Sequence, residues 1–559
     1  MEAKLLTIVD PRGRIENSMR TGNARDRVVR LPGSIAGVRF GFLGNGKPNV
    51  SALLNHVDAR LREHGAEPSR TFTKAGPLGP APADAIETLV QEADVVVIGV
   101  SDGGTATSWG VRDAVECINL GVPVFQVCTR AFAPLAWSIM PPDLRGLMLL
   151  EIDHPFSSVG DDEVASTGDA VFHKLVELVR TGGERPAYKG DVANQCDGRH
   201  GLDVPLVPVE VPRGLEPSDS LYELGLTDGL PVGIPTVERV ARKIAAWQGS
   251  GDLRVLAVPP RRGLAGAAEL AANAVLAGLP DRLLPYLAAA VDAACAPEFN
   301  LFGLQTTTNP ATPAVVVGGP GRLRAGFNQG LGALGPGNMG NATLGRALRL
   351  CMQNLGGARA ADGSDPATMG QPGKYSFCFA ADEDGWPWPP LRMQTKRAIA
   401  HATDDSVTVV AVTGSVNMII KCRSADELLD MIAGSIRIAG SNDYMFGGHP
   451  LLVLCPEHAS IFRRDGLSLN DIRRELFERT KIPFSSFLPK NREMMLAPRA
   501  HEFERLNEAT LIPIVADPND LLVCVAGGFS MHSTYLPSFG GSIPVTAVVP
   551  GRALDGADD

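Results

Sequence analysis

Two kinds of apolar pattern alternate along the chain. One is an unbroken run of β-branched residues, clearest at Val95-Val96-Val97-Ile98, which stops at Gly99. Such a run reads as a strand buried on both faces. The other is an apolar residue every three or four positions, the mark of an amphipathic helix. From residue 93 the two follow each other: a strand, a loop of small residues over 101–108, a helix from about Trp109, and a second apolar strand after Gly121. This is a βαβ unit, whose strands run parallel. The same alternation predicts strands over 38–43 and 123–128, with helices over 49–64, 83–92 and 167–180. Together they predict a doubly wound α/β domain over residues 35–182, after a polar, Arg-rich arm at 1–34.

The pattern then fades. Residues 183–235 are dense in Pro and Gly and show no period, as expected of a linker or a wrapping segment. From 236 the alternation resumes. Helices are predicted over 236–247, 263–277, 282–294, 344–354, 425–438 and 469–480. Strands are predicted over 253–258, 313–318, 407–412, 417–420, 450–454, 511–515 and 521–525. Residues 236–559 thus form a larger α/β domain of one or two lobes. The expected fold class is α/β, with two or more doubly wound, Rossmann-like regions joined by the Pro/Gly-rich linker.

Composition narrows the partners. The chain has 559 residues, enough for several cores, and a net charge of -10. That balance argues against nucleic acid or an anionic membrane as partner, because both want a basic face. No apolar run approaches the roughly 18 residues of a membrane span. The first 14 residues lack the apolar core of a secretory signal. None of the nine Cys lies in a CxxC pair, so zinc-ribbon and thioredoxin motifs are unsupported and reduced, cytoplasmic thiols are expected. A homo-oligomer is the expected state.

Candidate chemistry begins in the loop after the central strand. Ser101, Asp102, Thr105, Thr107 and Ser108 crowd around Gly103 and Gly104. In a parallel sheet ligands sit at the carboxyl ends of strands, where helix N-termini favour negative charge. The loop reads either as a pocket for a small carboxylate or as a tight turn capped by Thr107 or Ser108. A second Gly-rich stretch ends in Asn338, Asn341, Thr343 and Arg346. It offers neutral hydrogen bonds and a guanidinium fork, and so a second anion-binding wall. No G-K-[ST] follows, so a nucleotide is not implied. Lys374 precedes Cys378 by four residues, and an ammonium nearby would favour a thiolate nucleophile. The rival reading of Cys378 is a small hydrophobe inside a strand. His449 and His532 adjoin strand patterns and are candidates for proton transfer, or for a divalent metal, although no H-x-x-x-H or H-x-H spacing supports one. His458 reads as a cap or surface residue. No cofactor is firmly implied.

GVSDGGTATSWGVRDAVECINLGVPV, from Gly99, and GFLGNGKPNVSALL, from Gly41, resemble the signature region of the UGSC-type (seleno)protein family over roughly 35–180. The resemblance adds Asn45 and Lys47 to the substrate-binding candidates. It also marks a departure. Gly103 stands where the family carries selenocysteine or cysteine, and Ala106 where it carries a second cysteine, so neither redox atom is present. Farther on, Thr307-Thr308-Asn309-Pro310, the run from Asn341 to Ala347, Gly370 to Tyr375 with Cys378, and Trp388-Pro389-Pro390-Leu391 resemble larger proteins that join such a domain to a second one. Asn309 replaces their histidine.

The leading expectation is an enzyme acting on a small anionic, carboxylate-type metabolite. It would cleave or form a carbon–heteroatom bond in a cleft between the α/β regions, as a lyase or hydrolase does, without a nucleotide. One rival is a non-catalytic, redox-degenerate subunit or ligand-binding partner of a larger complex. Another is a thiol oxidoreductase using Cys378.

Overall fold

The computed structural model describes residues 4–16, 29–141, 144, 146–182, 205–247, 255–396, 404–503 and 505–550. Much of the arm, the first part of the Pro/Gly-rich segment at 183–204, and the start of the strand expected over 253–258 lie outside the described residues. Within them the chain is α/β. Strand β1 (Lys4–Val9) belongs to the arm. Strands β2 (Arg39–Gly44), β3 (Glu67–Thr73), β4 (Val95–Ser101), β5 (Val124–Thr129) and β6 (Leu147–Ile152) form one sheet in the order β3-β2-β4-β5-β6. Every pairing in it is parallel.

Helices α1 (Val50–Glu63) and α5 (Asp161–Thr181) cover one face; α2 (Ala83–Glu92), α3 (Gly104–Asn119) and α4 (Ala133–Ile139) cover the other. The β-branched run explains why both faces need cover. Val95 and Val97 pack with Phe40, Phe42 and Leu53 under α1, while Val96 and Ile98 pack with Ala114 and Val115 of α3. Each such side chain contributes roughly 1.5–3 kcal/mol by leaving water. Edge strand β3, EPSRTFT, is mostly exposed and carries a Pro, so no strand was expected there. Strand β6 was not expected either.

The Pro/Gly-rich segment wraps back onto the arm. Its strand β7 (Leu206–Val211) pairs antiparallel with β1, and the backbone of Val9 bonds to Pro235.

Beyond it lie two four-stranded mixed sheets. In one, Thr312–Gly318 runs parallel to Cys378–Ala380 and antiparallel to Ser406–Val412, which pairs with Val545–Val548. In the other, Leu451–Leu454 runs parallel to Leu522–Val525 and antiparallel to His532–Leu536, which pairs with Val416–Ile419. The antiparallel pairs set this region apart from the purely parallel winding of the first. Helices Ala267–Ala277 and Leu284–Cys295 are apolar nearly all round and buried nearly all round.

Second-region elements also close over the first sheet. Asn300 Nδ2 bonds to the Leu78 carbonyl at 2.7 Å, and Trp109 meets Phe302 edge-on at 4.9 Å. Lys490 Nζ reaches Asn49 Oδ1 at 3.0 Å.

Candidate anion site at the switch point of the parallel sheet

The order β3-β2-β4-β5-β6 reverses between β2 and β4. Connections leave those two strands in opposite directions, and in open α/β sheets this is the position at which ligands are held. The two loops that emerge there are 45–49 and 102–103.

Asn45 ties them at the base, donating from Nδ2 to the Val100 carbonyl at 2.9 Å and accepting from the Lys47 N–H. Above it, Lys47 Nζ forms an ion pair with Asp102 Oδ1. Both side chains are largely buried, 14% and 3% exposed. The other oxygen of Asp102 accepts the backbone N–H of Ser157 at 3.0 Å, and its hydroxyl as well. Asn49 holds the Ser157 loop in place by donating to the carbonyls of Phe156 and Val159.

Gly103 is the N-cap of α3 and supplies no side-chain cap. The first N–H groups of the helix are thereby left without a side-chain acceptor. A Cβ at Gly103 would stand 3.5 Å from Lys47 Nζ. At Gly104 it would lie 1.8 Å from the Thr306 carbonyl and 2.9 Å from Pro366. The second region therefore abuts the first turn of α3 so closely that only a glycine fits. In the same second-region loop the amide oxygen of Asn309 is buried with no hydrogen-bond partner.

Most hydroxyls expected to face a ligand are engaged within the fold. Thr107 and Ser108 donate to the carbonyls of Gly103 and Gly104, one helical turn back. Thr105 donates to Gly303 at 3.2 Å, and Ser101 accepts from Gln126 at 2.7 Å. The polar groups that meet one another across these loop ends are Lys47, Asp102 and Ser157. Ser157 was missed: it lies 55 residues beyond Asp102 in a loop without a motif.

Residues 7–181 match the model of the UGSC family. This N-terminal region belongs to the UGSC family. Gly103 and Ala106, where the resemblance implies selenocysteine or cysteine, lie inside this matched region. No curated protein matches the chain. Among solved structures, a point mutant of a flavo di-iron protein from Thermotoga maritima is similar at 12% identity and a TM-score of 0.20. The match covers 26% of this chain and 37% of that one.

The second wall does not join these loops; Thr306 and Pro366 pack against the start of α3 instead. Arg346 is held in a two-pronged ion pair with Asp228 at 2.7 and 2.8 Å, which corrects its expected role as an anion fork. Asn338 caps its own helix, Met339–Asn354, by accepting from Asn341. Asn341 holds the Gly-rich loop through the carbonyls of Asn328 and Ala333, and Thr343 bonds back to Met339.

The expected Cys378 thiolate is corrected as well. Cys378 is 5% exposed in a strand, packed on Gly345, and burial pushes its thiol far above the ordinary range. Lys374 is held by both oxygens of Asp365, at 2.8 and 2.7 Å.

His449 pairs with Asp520 at 2.9 Å, and His532 is exposed, 3.2 Å from Asn417 Oδ1. Among the described residues no three His, Cys, Asp or Glu side chains gather to hold a metal ion. No helix of the described residues is long and apolar enough to cross a membrane.

Proposed function

We propose that this chain is an enzyme whose substrate is a small anionic, carboxylate-type metabolite, held where the loops after β2 and β4 diverge. The observation that carries the reading is the Lys47–Asp102 ion pair, set beside the uncapped first turn of α3. A carboxylate entering there exchanges with Asp102 for the Lys47 ammonium and takes the N–H groups of the helix start. Asp102, released but still held by Ser157, becomes a base beside the bound substrate. That is the equipment for proton transfer during cleavage or formation of a carbon–heteroatom bond. The unpartnered Asn309 oxygen supplies an acceptor in the covering loop. Nothing in this chemistry calls for a nucleotide.

The test is calorimetric titration of the full chain with acetate, lactate and malonate. Saturable binding that disappears in Lys47→Met supports the reading. Equal binding to both proteins, or none to either, sinks it.

A further inference from the structure

A second cluster of reactive groups lies far along the chain, at the carboxyl end of strand Leu451–Leu454. Cys455 is the N-cap of the helix Pro456–Arg464. His458, expected as a cap or surface residue, is fully buried three residues later, and Ser533 stands between the two. His458 Nδ1 is 2.7 Å from Ser533 Oγ, and Ser533 Oγ is 3.6 Å from Cys455 Sγ. The far nitrogen of the ring, Nε2, faces the Ile420 carbonyl at 2.9 Å. A carbonyl only accepts, so Nε2 carries a hydrogen and Nδ1 is left to exchange one with Ser533. Sulfur, hydroxyl and imidazole thus form a proton relay whose base is oriented by a third group, the arrangement that activates a nucleophile.

The relay has two protonation states. In the first, the thiol donates to the Ser530 carbonyl, at 2.6 Å, and Ser533 donates to Nδ1. In the second, the thiol proton has passed to Ser533 and the hydroxyl proton to the ring. The imidazolium then donates at both nitrogens, and Ser533 donates to the thiolate. The Cys455 N–H donates to Ser533 at 3.0 Å throughout.

This sulfur differs from the rest. Burial pushes the thiol of every other described cysteine up. At Cys455 burial acts in the same sense, but hydrogen bonding with His458 and Ser533 outweighs it and the thiol is pushed down. Burial also works against a charged His458, and its bonding to Cys455 raises it nonetheless. The sulfur is buried, yet it touches Ser530, an exposed residue next to Phe529, which is 74% exposed.

We propose that Cys455 is the nucleophile of a second reactive centre, one that accepts an acyl group from a small ester or thioester. Its sulfur forms a bond to the acyl carbon. The bond from that carbon to the leaving oxygen or sulfur breaks, and the departing pair of electrons takes the proton that the relay has stored on His458. The sulfur stands at the start of the helix Pro456–Arg464, where the helix dipole favours the negative charge that develops as the acyl carbon is attacked. Water then releases the acyl group as a carboxylic acid and restores the thiol.

The test is p-nitrophenyl acetate on the full chain, read by mass spectrometry of intact protein and peptides. The expected product is one acetyl group on Cys455, with Cys378 and Cys128 unmodified. Ser533→Ala slows that acetylation about tenfold or more, and Ser533→Thr, which keeps the hydroxyl, restores much of it. The proposal is overturned by an unmodified Cys455 in the folded chain. It is equally overturned if Cys455 and Cys378 react at one shared rate, which marks general unfolding, or if Ser533→Ala reacts as fast as the natural protein.

Discussion

Lys47 and Asp102 pair across the seam where β2 and β4 part. One comes from the loop that leads into α1, the other from the loop that leads into α3, and 55 residues separate them. The pair lies at the reversal of strand order, and the proposed anion site requires it to part. Asp102 competes with any anion for the ammonium. Asp102→Asn therefore frees Lys47 while its side chain keeps an oxygen for Ser157. The expected outcome is tighter binding of malonate, by about fivefold or roughly 1 kcal/mol, together with loss of turnover on an identified substrate. Calorimetry alongside kinetics checks the split, and weaker binding in the variant refutes it.

Gly103 and Gly104 are neighbours with opposite tolerance. The site of a Cβ at 103 meets only the Lys47 ammonium, at 3.5 Å, whereas at 104 it runs into the Thr306 carbonyl at 1.8 Å. Gly103→Ala is expected to leave the melting temperature within a few degrees. Gly104→Ala forces two parts of the chain apart and costs about 3 kcal/mol or more. Parallel thermal melts decide this, and equal effects at the two positions refute it.

The bare position also makes a chemical prediction. Gly103→Cys places a thiol at the start of α3 and beside Lys47, two influences that favour thiolate. Its reaction with iodoacetamide is expected to set in below the ordinary thiol range near pH 8.5. Adding Lys47→Met moves that onset upward. An onset indifferent to residue 47 argues that the ammonium is turned away from the helix start.

These contrasts show which parts of the chain its sequence reveals. The β4–α3–β5 unit is legible because a doubly buried strand must be apolar throughout, and its glycines mark where the backbone turns. The α/β class follows from that rhythm. Strand β3 is not legible, since an exposed edge strand needs no apolar face. In the site, Asp102 can be read because it falls in a short loop at a strand end, whereas Asn45 and Lys47 enter through the family resemblance. Ser157 cannot, and neither can Asp228, which claims Arg346 from 118 residues away. Thr107 and Ser108 mislead for a local reason: inside the first helical turn a hydroxyl finds its own backbone before it finds a ligand.

Lys74 and Asp113 supply a test of what holds the UGSC region together. Their side chains are 4% and 1% exposed and 2.7 Å apart. Lys74 also donates to the Gly79 carbonyl, and Asp113 accepts from Ala81. Burial drives the Asp113 carboxyl up, with Lys74 pulling against it. Lys74→Met removes the counter-charge and leaves a buried carboxylate alone, at an expected cost of about 3–5 kcal/mol. The double variant Lys74→Met/Asp113→Leu removes both charges and recovers much of that loss. Urea unfolding of the three proteins checks it, and additive losses count against a coupled pair.

Asp443 makes the stability of the last region depend on pH. It is fully buried, with Ser538 donating to Oδ1 through its N–H and its hydroxyl, and Tyr535 donating to Oδ2 at 2.9 Å. Burial raises its titration to about 6, against the opposing pull of those donors and of Arg499. The folded protein thus holds a proton that the unfolded chain, with an ordinary carboxyl near pH 4, has already released. Between those values the folded state binds more protons, so stability falls as pH rises through that window and levels off above about 6. Asp443→Asn removes the titrating group while keeping an oxygen for Ser538. Denaturant midpoints measured from pH 4 to pH 7 are expected to decline more steeply for the natural protein than for this variant. Parallel curves would mean that Asp443 stays ionised throughout and that its three hydrogen bonds outweigh its burial.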